Sequence, residues 1–60
     1  MTNTEALKLL YAAVGGEETL PADATNLDVL NAIAVEFGGT AQESNADAIA
    51  EIAAHYSAGE

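Results

Sequence analysis

The side chains of this 60-residue chain that are best suited to chemistry are ten carboxylates and one histidine. A histidine acts as a catalytic base when it stands beside a nucleophile and an orienting acid. The chain has no cysteine, and the hydroxyl and acidic residues near His55 do not have triad-like spacing. Two carboxylates can act as a general acid and a general base when one of them is buried. The acids here fall at predicted helix starts and at helix positions that do not belong to the apolar stripe. We therefore predict that the protein is not an enzyme.

The same residues give little basis for a metal or cofactor site. Calcium loops place acids at alternate positions around a central glycine, and no segment follows that pattern. The glycine pair Gly15-Gly16 is followed by Glu17-Glu18, whose charges would repel a phosphate. Zinc sites need several cysteines or histidines, and the chain offers a single histidine. We expect neither a cofactor nor a metal.

The net charge of −9, with one lysine and no arginine, excludes several classes of partner. Each contact with a nucleic-acid phosphate needs a lysine or an arginine, so we expect no nucleic-acid binding. Attraction to an anionic membrane surface is excluded for the same reason. No apolar run reaches the roughly 18 residues that a membrane-spanning helix requires. The expected partner is therefore a protein.

A fifteen-residue pattern occurs three times and shows which elements position these residues. The copies span residues 2–16, 25–39 and 44–58 and align without a gap. Each begins with a hydroxyl residue and an asparagine, has an acid at its fourth position, and continues with apolar residues at helical spacing. Such a pattern arises by duplication or by convergence of three short capped helices, and the recurring asparagine and the glycine pairs favour duplication. We do not interpret it as a solenoid, because solenoid units are longer and more numerous.

Each copy of the pattern predicts one amphipathic helix, over residues 3–14, 26–37 and 45–56. The predicted N-caps are Thr2, Thr25 and Ser44. The apolar positions that the copies share are Leu7, Leu10 and Val14; Leu30, Ile33 and Phe37; and Ile49, Ile52 and Tyr56. Helices of about 12 residues are marginal alone in water, so they must pack on each other. The sequence predicts an all-α fold, a small three-helix bundle that forms a single domain over residues 1–60.

Four apolar residues outside the shared stripe are candidates for partner contact. Leu9 extends the apolar arc of the first helix together with Ala13, and it is either part of the core or part of a contact surface. Leu20 lies in the first connection, where it either closes the core or anchors a partner. Val35 occupies a variable position of the second helix. The partner would be a larger protein assembly or a second copy of the chain.

The segments Ala6–Gly16 and Val29–Gly39 resemble short helical segments of tailed-bacteriophage virion proteins, especially head-fibre and capsid-decoration proteins. The shared phrase is a leucine, an isoleucine or leucine three residues later, an alanine or tyrosine, a further hydrophobic residue and a glycine pair. The resemblance implies a structural or attachment role in a virion, without a cofactor or catalysis. It marks helix ends, so it assigns no functional residue.

Two alternatives explain the acidity differently. Small acidic proteins can occupy the nucleic-acid groove of a basic partner, as DNA-mimic anti-restriction and anti-CRISPR proteins do, and a charge of −9 would steer such an encounter. Acid excess can also be a general adaptation to a high-salt cytoplasm. The predicted location is the virion, with the cytoplasm as the alternative.

Overall fold

The computed structural model describes residues 1–56, which form three α-helices. These are α1 (Asn3–Ala13), α2 (Asn26–Glu36) and α3 (Asn45–His55). The predicted all-α three-helix bundle is confirmed. Each helix ends one residue before its predicted limit, because the last predicted residue of each helix is its C-cap, namely Val14, Phe37 and Tyr56.

The helix starts follow from local side-chain hydrogen bonds. Thr2 accepts a hydrogen bond from the backbone N–H of Glu5, and the Glu5 carboxylate accepts one from Thr2 N at 2.8 Å. Thr25 and Asp28 form the same reciprocal capping box at the start of α2. Such caps satisfy backbone donors that have no partner within the helix. The backbone and hydroxyl groups of Thr2 lower the pKa of Glu5, because both stabilise its ionised form.

All three helices point in the same direction. The Thr4 hydroxyl, near the start of α1, donates to the side-chain oxygen of Asn26, the first residue of α2. At the opposite ends of these helices, a Cβ at Gly15 would lie 4.0 Å from Oε1 of Glu36. The ends of α2 and α3 meet in the same way, since the rings of Phe37 and Tyr56 lie 5.9 Å apart in an edge-to-face arrangement. Each connection therefore returns the chain from the end of one helix to the start of the next.

Helix α2 lies between the other two helices. It packs against both α1 and α3, whereas α1 and α3 do not approach each other closely. The bundle is therefore open on one side, and the core is centred on α2. The buried cluster comprises Tyr11, Ala24, Val29 and Ile33, and the partly buried residues packed against it are Leu7, Val14, Leu20, Ala32, Phe37 and Ile52.

The shared apolar stripe was predicted to be core in all three helices, and this is only partly correct. Leu30 and Ile33 of the central helix are buried as predicted, but Leu10 of α1 and both Ile49 and Tyr56 of α3 are exposed. The physical reason is the open arrangement, because each outer helix has one neighbouring helix to cover it and α2 has two.

Candidate functional site

The single histidine and one of the carboxylates, Glu51, help to hold the fold together. Nε2 of His55 lies 3.5 Å from Oε2 of Glu51, and the same oxygen accepts hydrogen bonds from the backbone N–H and the hydroxyl of Thr40. The Thr40 N–H is the main cause that lowers the pKa of Glu51; partial burial opposes it, and the Thr40 hydroxyl and His55 add to it. This cluster fixes the second connection onto α3. Among residues 1–56, no three histidine or acidic side chains come close enough together to hold a metal ion.

The opening between α1 and α3 forms a groove of about 400 Å³. Its apolar lining comprises Ala6, Leu7 and Leu10 of α1, Leu30 of α2 and Ile49 of α3. Leu30 is buried and forms the floor, whereas Leu10 and Ile49 face each other from the two outer helices. The groove is therefore an apolar surface on a strongly acidic molecule.

Three asparagines line one end of the groove, and each is the first residue of its helix: Asn3, Asn26 and Asn45. They are the asparagines that recur after the N-cap in every copy of the repeat. They meet because the helices are parallel, so all three helix starts lie at the same end of the bundle. Each of these starts also carries an acid in its first turn, which offsets the positive end of the helix dipole. The helix dipoles therefore offset part of the negative charge at this end of the bundle.

The four residues predicted to contact a partner occupy different positions. Leu9 is 60 % exposed on α1, and Ala13 is exposed one turn further along the same face. Val35 is exposed on α2, on the side that carries Asp28 and Glu36. Leu20 is partly buried and packs against the core cluster. The structure thus brings Leu9 and Ala13 together and separates them from the other two.

Sequence reasoning missed two kinds of residue. Val29 and Ala48, at a position outside the shared apolar stripe, are fully buried. Leu10 and Ile49, interpreted as core, line the open groove instead. The signal for the first pair was present in the sequence, because this position of the repeat holds only a small residue or valine. The second pair had no sequence signal, since their exposure depends on how the helices are arranged.

Comparison with known proteins adds no relative: no family model, no curated protein and no solved structure matches the chain. The resemblance to phage virion proteins therefore stays a prediction. Within residues 1–56, none of the helices has the length and apolar character needed to cross a membrane. The candidate functional site rests on the exposed apolar surface alone.

Proposed function

We propose that this chain is a non-enzymatic attachment protein that binds a larger protein assembly through the apolar surface of α1. We call the side chains Ala6, Leu9, Leu10 and Ala13 the α1 surface. The observation that carries the proposal is the exposure of both Leu9 and Leu10 on α1, with the small exposed residues Ala6 and Ala13 between them on the helix surface. A contiguous apolar patch that is left in contact with water marks an interaction site.

The size of the chain supports this function. A domain of 60 residues buries only about 60 % of the surface that its unfolded chain exposes, so its stability is marginal. Binding to the folded form alone stabilises that form by mass action. Many copies on one assembly would also strengthen weak individual contacts through avidity. A small docking module gains from both effects.

The assembly that we propose is a tailed-phage virion, with the chain as a capsid-decoration or head-fibre component. The support for this choice is the resemblance of the two helix-and-glycine segments, Ala6–Gly16 and Val29–Gly39, to such proteins. The physical argument for attachment holds for any large protein assembly, and the resemblance alone favours the virion.

The rival function, an acidic inhibitor that mimics DNA, receives less support from the geometry. A mimic needs carboxylates that are free to face a basic partner. Glu5 and Asp28 instead accept hydrogen bonds at helix starts, and Glu51 holds the second connection. The two functions also differ in their response to salt, because exposed charges are screened within about 3 Å at 1 M salt whereas apolar contacts are not weakened.

The test compares Leu9→Asp with the matched variant Ala12→Asp. Both add one carboxylate to α1, but Ala12 is an exposed residue outside the α1 surface. Particles sedimented from the natural source would be examined for the bound chain at about 0.1 M and about 1 M salt, with circular dichroism as the check on folding. We expect wild type and Ala12→Asp to sediment with the particles at both salt concentrations, and folded Leu9→Asp to remain in solution.

Two results would contradict the proposal. Release of the wild type by salt would favour the acidic inhibitor, because that interaction is electrostatic. Unfolding of Leu9→Asp under conditions where Ala12→Asp stays folded would show that Leu9 serves the fold instead of a partner.

A further inference from the structure

We propose that the groove between α1 and α3 binds one basic amphipathic helix of the partner protein, which lies antiparallel to the three helices of this chain. The inference rests on the proposed function and deepens it, because it names the kind of segment that meets the α1 surface. Ala6 and Leu10 belong to that surface and also line the groove, so the two form one continuous apolar site.

The shape of the groove suits a helix. Helices α1 and α3 both pack on α2 and do not approach each other closely, so the groove lies between them with α2 as its floor. Its lining on α1 extends from Asn3 to Leu10, which is two helical turns and about 10 Å. A helix contacts a groove through side chains at positions i, i+3 or i+4, and i+7, which also span two turns. A small ligand would instead need a site that encloses most of its surface.

The repeat shows what the walls of the groove lack. Leu10 of α1 is equivalent to Ile33 of α2, and Ile49 of α3 is equivalent to Leu30 of α2. The two residues of α2 are 1 % and 6 % exposed, whereas Leu10 and Ile49 are 48 % and 54 % exposed. Helix α2 differs from the outer helices in having a helix on each side. A fourth helix in the groove would give α1 and α3 a second neighbour and would cover both exposed side chains.

The charge of the chain determines the chemistry of the occupant. The net charge is −9, and the single lysine, Lys8, donates to the carbonyl of Pro21. The exposed acids Glu5, Glu43 and Asp47 lie at the starts of the two helices that form the walls. A second copy of this chain would be repelled, whereas lysines or arginines beside the apolar face of a partner helix would be attracted. The occupant is therefore a basic segment of another protein.

The direction of the bound helix follows from the parallel arrangement of α1, α2 and α3. Their starts lie together at the asparagine end, so an antiparallel helix would bring its C-terminal carbonyls to that end. These carbonyls have no partner within their own helix. The oxygen of Asn26 accepts from the Thr4 hydroxyl, which leaves the Asn26 amide group to donate to such a carbonyl. Lysine and arginine are favoured in the last turn of a helix, and there they would face Glu5 and Asp47.

The charges and the apolar lining act at different stages of binding. Complementary charges raise the rate of encounter, and apolar burial keeps the complex together. Since exposed charges are screened within about 3 Å at 1 M salt, salt should lower the association rate and leave the dissociation rate nearly unchanged. This behaviour agrees with an attachment protein that stays on its assembly in salt.

The first test uses a synthetic peptide of about 18 residues, long enough to form a helix. It has leucines along one face and lysines on the others. One control peptide replaces the lysines with glutamates, and another rearranges the same residues so that the leucines no longer share a face. We expect fluorescence anisotropy to show that the wild type binds the basic amphipathic peptide about tenfold or more tightly than either control. Equal binding of the rearranged peptide would reduce the interaction to charge alone and overturn the proposal.

Groove variants locate the binding site. Ile49→Gln makes one wall of the groove polar, and Ala54→Gln makes the same kind of change at an exposed position of α3 outside the groove. Both leave the net charge unchanged. With circular dichroism as the check on folding, Ile49→Gln should bind the peptide about tenfold more weakly, and Ala54→Gln should bind like the wild type. Equal affinities of the two folded variants would contradict the proposal.

A measurement on the wild type remains decisive even if a variant fails to fold. Addition of the peptide should change the amide chemical shifts of Leu10, Leu30 and Ile49, and unchanged shifts at all three would refute binding in the groove. A nitroxide at the peptide C-terminus should broaden the amide signals of Asn26 and Asn45. Broadening there by a nitroxide at the N-terminus instead would show that the helix binds parallel and would overturn the proposed direction.

Sedimentation with the particles separates this inference from the attachment function. Leu9 lies on the α1 surface outside the groove lining, whereas Ile49 lies in the groove and outside the α1 surface. We expect Ile49→Gln to remain in solution and Ala54→Gln to sediment with the particles. If Ile49→Gln sediments and Leu9→Asp does not, the attachment function stands and the groove is not its site. A wild type that dimerises without the peptide and through Ile49 would make a second copy the occupant and overturn the inference.

Discussion

The two helix–helix contacts of this chain join equivalent faces of one repeat, but different side chains hold them together. Between α1 and α2, the ring of Tyr11 is buried against Val29 and Ile33. Between α2 and α3, the buried side chains include the alanines Ala34 and Ala48, both fully covered, beside Leu30. The first contact buries an aromatic ring, and the second combines one large aliphatic side chain with close packing of small residues.

The connections differ in the same way. The first is fixed by the Tyr11 hydroxyl, which accepts a hydrogen bond from Glu18 N at 3.2 Å, while Leu20 packs on the core. The second is fixed by polar pairs, because the Asn31 side chain donates to Gln42 O and accepts from Gln42 N, each at 2.9 Å. Hydrogen bonds contribute about 0.5–1.5 kcal/mol each, whereas a fully buried large side chain contributes about 1.5–3 kcal/mol. We infer that the α1–α2 pair is the more stable unit and that α3 detaches first.

The largest expected difference in stability is between variants of two aromatic residues, Tyr11 in the α1–α2 contact and Tyr56 in the α2–α3 contact. Tyr11→Ala removes a buried ring and leaves a cavity, which should lower the free energy of unfolding by about 3–5 kcal/mol. Tyr56→Ala removes an exposed ring whose edge-to-face contact with Phe37 contributes about 0.5–1.5 kcal/mol. Urea denaturation followed by circular dichroism measures both changes. Equal losses would show that the two contacts are equivalent after all.

A smaller difference in stability is expected between alanine variants of Gly16 in the first connection and Gly39 in the second. At Gly16 a Cβ would overlap Cζ of Tyr11, and at Gly39 it would lie 2.8 Å from Cγ of Glu51. The Tyr11 ring is buried in the core, whereas the Glu51 side chain is partly exposed and can rotate away. Gly16→Ala should therefore cost about 1–3 kcal/mol, and Gly39→Ala should cost under about 1 kcal/mol, the value of a weakened hydrogen bond to Thr40. Thermal unfolding of the two variants gives the order, and a larger loss for Gly39→Ala would reject this explanation.

The elements of the fold could be predicted because their determinants are local. Thr2 and Thr25 cap their helices through residues three positions away, and Gly15 and Gly38 adopt positive φ after the helix ends. The parallel arrangement could not be predicted, because it depends on tertiary contacts such as that between Thr4 and Asn26.

The candidate site was predictable only in part for the same reason. The spacing of Leu9 places it away from the shared stripe, and the structure leaves it exposed. The groove between Leu10 and Ile49 arises from the separation of α1 and α3, which no local pattern encodes. Periodicity identifies which side of a helix is apolar, but the number of neighbouring helices determines whether that side is buried.

The smallest predicted effect concerns Glu51, the acid that fixes the α2–α3 connection. The pKa of Glu51 in the folded state lies below the ordinary value of 4.5, chiefly because the Thr40 N–H stabilises the carboxylate. A lowered pKa contributes stability that is present above about pH 4.5 and is lost as pH falls through the folded value. Glu51→Gln should therefore lower the urea midpoint at pH 7, and the midpoints of variant and wild type should converge as the pH falls below the folded pKa.

Glu17→Gln removes the same charge from an exposed position in the first connection and is the control for general charge repulsion. If both variants shift the urea midpoint equally at pH 7, the change in net charge accounts for the effect. If only Glu51→Gln loses stability, the second connection is stabilised by its polar pairs, whereas the first is stabilised by apolar burial.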